Sequence, residues 1–136
     1  MLQRDYMLNE ARKLALLLAK LMGLKAEGNP AEYEAELNRA LQSEYNTELA
    51  FMLGLSEKEF ESTLLAENYS VEKLNALSQI LYVFAEPFEK NEATAGILKK
   101  VIQIFDLLEN KHHYESFDNL NKRSHIYSFF KDYGQL

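Results

Sequence analysis

Three histidines and one acid lie close enough in the chain to suggest a metal: His112, His113, Glu115 and His125. A zinc ion needs three or four ligands converging on one point. Adjacent histidines in a turn diverge, and His125 falls helical turns further on, so the spacing favours solvated side chains near a helix end. No His-Glu-x-x-His helix is present. Two carboxylate series, Glu32/Glu34/Glu36 and Glu57/Glu59/Glu61, could suggest acid–base work. Residues two apart do not share a helix face. Early acids also suit the positive end of a helix dipole. Both series therefore read as helix-start chemistry. There is no glycine-rich phosphate loop, no Gly-x-Ser-x-Gly elbow and no dinucleotide fingerprint. No metal, cofactor or catalytic residue is expected.

Two groups suggest contact instead. Lys99, Lys100, Lys111, Lys122 and Arg123 gather near the C-terminal end. Lys99 and Lys100 fall between the core positions Ile97 and Val101, which predicts that both are exposed. Asp106, Glu109, Glu115 and Asp118 intersperse them, so a mixed solvated face competes with an anion-binding groove. The aromatics Tyr114, Phe117, Tyr127, Phe129, Phe130 and Tyr133 concentrate in the same region. Phe117, Tyr127 and Phe130 suit packing on a preceding hairpin. Ile126, Phe129 and Tyr133 exceed what one face can bury, and the excess suggests a partner or self-association.

Composition limits the alternatives. A chain of 136 residues is long enough to bury a core as one domain. Hydrophobic residues make up 47%, which with periodic patterning argues against disorder. Five glycines and two prolines are few for an all-β protein. The absence of cysteine removes disulfides, thiolate metal sites and a cysteine nucleophile, and fits a reducing cytoplasm. A net charge of −6 disfavours nucleic-acid binding. Residues 1–97 carry a net −7 and residues 98–136 a net +1. The apolar run Leu14 to Leu18 is too short to span a membrane and is read as a core helix, not a signal peptide.

These residues must be held by helices. A first helix is predicted from Asp5 to Met22, with Tyr6, Met7, Ala11, Leu14, Ala15, Leu18, Leu21 and Met22 at helical spacing. Leu16, Leu17 and Ala19 widen the apolar surface, which predicts packing from more than one side. Gly23 is placed for a left-handed cap. Asn29-Pro30 with Glu32 opens a second helix, with Tyr33, Leu37, Ala40 and Leu41 as its stripe, ending around Ser43 to Asn46. Residues 47–69 read as short pieces: Thr47 to a stop at Gly54, then Ser56-Glu57-Lys58-Glu59 as a capping box before Phe60, Leu64 and Leu65. Ser70 caps a helix in which Leu74, Leu77, Leu81, Phe84 and Phe88 share one face, closed by Pro87. After Asn91, Ile97, Val101, Ile104, Phe105 and Leu108 mark its partner. Ser116 caps a last helix with Phe117, Leu120, Tyr127 and Phe130 on one face. Nothing alternates with the period of two that a half-buried strand requires.

The opening Asp5-Tyr6, the helix from Leu14 to Leu21 and the segment Met22-Gly23-Leu24-Lys25 resemble a family of bacterial helical domains of unknown function, in which such a start leads into a tetratricopeptide-like region. The resemblance spans most of the chain and implies a right-handed superhelix of stacked helix pairs, with no catalytic residues. Ala95 and Gly96 suit the small positions of such a repeat, and Leu77 and Leu81 its first helix. The departures are that no proline follows Leu108, that Pro87 sits inside the hairpin, and that the hairpin exceeds the repeat's usual length of about thirty-four residues.

The expectation is an all-α fold of six or seven helices in stacked antiparallel hairpins. It forms a single domain, with a first hairpin over 1–46, short connecting helices over 47–69, and a second hairpin plus C-terminal helix over 70–136. The expected role is a cytoplasmic, non-catalytic protein–protein interaction module, with Lys99, Lys100, Arg123, Tyr127 and Phe130 as partner contacts. The alternatives are a homodimer pairing through its last helix and a small-ligand or metal-binding helical protein. No nucleic acid or membrane partner is expected.

Overall fold

The structure, a computed structural model, describes residues 2–134. Among them are seven helices and no strand: α1 Leu2–Ala26, α2 Pro30–Tyr45, α3 Leu49–Leu53, α4 Glu57–Glu67, α5 Val71–Ala85, α6 Glu92–His112 and α7 Phe117–Tyr133. Met7, expected on the α1 stripe, lies outside the described side chains. The chain divides into two compact units, Met1–Ser56 and Glu57–Leu136. The boundary falls inside the stretch 47–69, which gives α3 to the first unit and α4 to the second.

Four of the expected N-terminal caps are in place, whereas α3 starts after Glu48 with no side-chain cap rather than at Thr47. The Asn29 side chain accepts from the Glu32 amide at 3.2 Å, and Pro30 fills the first helical position, where its missing N–H costs nothing. Ser70, Asn91 and Ser116 do the same for α5, α6 and α7, accepting from the amides of Lys73, Thr94 and Asn119. Each bond satisfies one of the amides left unpaired at a helix start.

In the first unit α1 packs on α2. Lys13 Nζ meets Glu44 at 2.8 Å, Lys20 Nζ meets Glu36 at 3.2 Å, and the Lys25 ammonium lies 5.5 Å from the centre of the Tyr33 ring. As the α1 numbers rise the α2 numbers fall, so the pair is antiparallel. Leu14 and Leu21, one heptad apart, are buried, as are Tyr33, Leu37, Ala40 and Leu41 on α2. The Asn38 side chain accepts from the Leu49 amide at 3.0 Å and ties the start of α3 to α2.

Two expectations fail here. Gly23 does not cap α1; the helix runs on to Ala26, and the left-handed conformation is taken by Gly28 at φ +77°. Glycine inside a helix costs about 1 kcal/mol relative to alanine, and the three good helix formers that follow it carry the chain through. Nor is α1 enclosed from more than one side: Leu8, Leu16 and Met22 are exposed.

In the second unit α5 is the central helix. Leu74, the run Ala76 to Val83 and Ala85 are all buried. Its most extensive neighbour is α6, which buries Ile97, Leu98, Val101, Ile104, Phe105 and Leu108. α5 ends at Ala85, one residue before a cis Glu86–Pro87 bond. Phe88 thus lies beyond the helix whose face it was expected to extend. Its ring instead meets Tyr82 and Phe129 edge-on, at 5.2 and 5.9 Å between centres. α4 lies against α6, where Gln103 Nε2 donates to the Glu57 carbonyl at 2.8 Å.

Candidate interaction surface

The residues expected to meet a partner form, for the most part, the internal seam between α6 and α7. Lys100 is buried, with 6% exposure, and its ammonium lies 5.5 Å from the Phe60 ring centre. It faces α4 rather than solvent. Burial pushes its pKa down, partly opposed by the nearby Glu57 carboxylate. The expectation of an exposed Lys100 fails because α6 is covered on the α4 side as well as the α5 side, so its buried arc is wider than one stripe. Lys99 is half-buried and sits 6.0 Å from the centre of the Phe130 ring.

Arg123 is an intramolecular clamp. Nη2 donates to Glu109 Oε2 at 2.6 Å, Nη1 donates to the Tyr127 hydroxyl at 3.0 Å, and Nη1 lies 3.1 Å from Asp106 Oδ1. The guanidinium also stacks 5.6 Å from the Phe105 ring centre. Burial opposes its charge, but the hydrogen bonds to Tyr127 and Glu109 more than offset this, so its pKa is raised. With these partners in place, Arg123 joins α6 to α7 and is not a free contact residue.

Phe130 is buried at 1% exposure, with Ile126 and Phe129 beside it. Phe117 was expected inside and is 88% exposed; Leu120 and Tyr127 are exposed too. The buried positions of α7 are Asn119, Ile126, Phe129 and Phe130. Apolar residues stand on both faces of this helix at three-four spacing, so its pattern alone leaves its rotation open. Polar matching fixes it. Asn119, buried, accepts from Gln79 Nε2 at 2.9 Å and donates to Asn75 Oδ1 at 2.8 Å. Gln79 Nε2 also reaches the Ser78 hydroxyl at 3.1 Å, and the Tyr82 hydroxyl lies 3.3 Å from His125 Nδ1. Burial raises the Tyr82 pKa, helped by Glu86 and Asp118. This α5–α7 network escaped the sequence reading because Gln79 stands within an apolar run. The available signal was that Asn119, Ile126, Phe129 and Tyr133 share one helical stripe.

The other candidate chemistry does not assemble. His113 takes the left-handed position that ends α6, at φ 53°, and His125 pairs with Tyr82. Among the described residues no group of three or more histidines and acids is placed to hold a metal. No described helix is long and apolar enough to cross a membrane. An open groove of about 390 Å³ between α4 and α6 is lined by Glu61, Leu64, Gln103, Asp106, Leu107, Asn110 and Lys111. That lining has no serine, threonine or histidine, and Asp106 already faces Arg123.

Exposed large apolar side chains occur on α1, α3, α4 and α7, and those of α1 form a run. Leu8, Leu16 and Met22 are 55%, 66% and 51% exposed, and Ala11, Ala15 and Ala19 are exposed between them. Leu8, Ala11, Ala15, Ala19 and Met22 follow one another at steps of three and four, which places them on one helix face. Leu14 and Leu21 project toward α2 from the adjoining face. Isolated exposed leucines are ordinary; here Leu8 and Met22 close the two ends of a stripe of exposed alanines along four turns of one helix. Comparison with known proteins finds no matching family model, no similar curated protein and no similar solved structure.

Proposed function

We propose that this chain is a non-catalytic helical scaffold acting as a protein–protein interaction module, and that the outward stripe of α1 is its contact surface. The observation that carries the reading is the exposure of Leu8 and Met22 at the two ends of a stripe of three exposed alanines. Alanines at four-residue spacing let a second helix approach closely, and the larger side chains at either end offer apolar area to bury. The tetratricopeptide-like stacking implied by the family resemblance, a bacterial source and a cytoplasmic location belong to the same proposal.

A second reading is a homodimer pairing through α7. It is favoured by Phe117, Leu120 and Tyr127, which stand exposed on the outer face of that helix. It no longer draws on Phe130 or Ile126, which are buried within the chain.

One experiment separates the two. The tagged chain is used for affinity capture and for light scattering as wild type, as Ala15→Glu/Met22→Glu, and as Phe117→Ser/Leu120→Ser. All four positions are exposed, so each variant should keep the wild-type circular dichroism and melting profile. A stoichiometric protein partner lost only by the α1 variant supports the proposal. A dimer lost only by the α7 variant supports the second reading. A wild-type chain that is monomeric and captures nothing removes support from both.

A further inference from the structure

We draw no further inference here: the strongest candidate, the outward apolar stripe of α1 from Leu8 to Met22, already belongs to the proposed contact surface, and nothing in the structure shows what covers it.

Discussion

Arg123 of α7 donates to Glu109 of α6 at 2.6 Å while its guanidinium lies over the ring of Phe105 on the same helix as Glu109. One side chain thus supplies a charge-assisted hydrogen bond and an apolar contact to the same helix. The guanidinium is flat enough to stack and forked enough to reach Asp106 and Tyr127 as well. Replacing it with leucine removes the fork and leaves Glu109 half-buried without its partner. The expected cost is about 1–2 kcal/mol, measured as a lower urea midpoint for the second unit. Lysine should restore only part of it, because an ammonium cannot make the same set of contacts.

The Asn119 amide gives a second test of how α7 is held. Asn119→Ala removes an acceptor from Gln79 and a donor from Asn75 in a buried setting. A polar group left unpaired in a protein interior costs about 1–3 kcal/mol. Hydrogen exchange should speed up along α7 before it does along α5, which keeps its packing on α6. Equal acceleration in both helices would mean that the network does not set the docking of α7.

Phe130 and Phe117 have the same chemistry at opposite exposures. Phe130→Ala should cost about 3–5 kcal/mol, the range for truncating a buried aromatic. Phe117→Ala should stay within about 0.5 kcal/mol of wild type. Comparable losses at the two positions would show that the rotation of α7 differs from the one described.

On α1 the contrast is between Leu14 and Leu16. Leu14 is 4% exposed and packs toward α2, so Leu14→Ala should lower stability by about 2–3 kcal/mol. Leu16→Ala should be nearly neutral for folding in the isolated chain. A protective effect of Leu16 on stability that grows with protein concentration would point to self-association through the exposed side of α1 next to the stripe from Leu8 to Met22.

Lys100 makes stability depend on pH in a defined direction. Its pKa in the folded chain lies below the usual lysine value of 10.5, so the unfolded chain binds more protons in the window between the two. Stability contributed at this position therefore rises as pH climbs through that window, and the burial cost of the charge is fully felt below it. Lys100→Met should be at least as stable as wild type at pH 7. The variant's advantage should shrink as pH approaches 10.5. Urea midpoints of both proteins across that range, taken as a difference, cancel the ionisation of the tyrosines they share.

The helices were legible in the sequence because their signals are local. Asn29-Pro30, Ser70, Asn91 and Ser116 satisfy amides within three residues of themselves, and no distant contact is needed for that. The stripes of α2 and α6 were legible as well, since their apolar residues outnumber the polar ones on a single face, whereas α5 is buried all round and its expected Phe84 and Phe88 are only half-buried. The all-α class followed from these signals alone.

Which side of α1 and of α7 turns inward was decided only by tertiary structure. α1 offers leucines and alanines over most of its circumference, and nothing local ranks one arc above another. α2 covers Leu14 and Leu21, with the ion pairs at Lys13 and Lys20 alongside, and leaves Leu8, Leu16 and Met22 outside. α7 carries aromatic residues on both faces, and its rotation is set by partners forty and fourteen positions away, Gln79 for Asn119 and Glu109 for Arg123. Lys100 shows the same limit: a charged residue beside a core stripe reads as exposed until α4 is placed over it. Periodicity reports that a face is apolar, but burial depends on which other helix arrives to cover it.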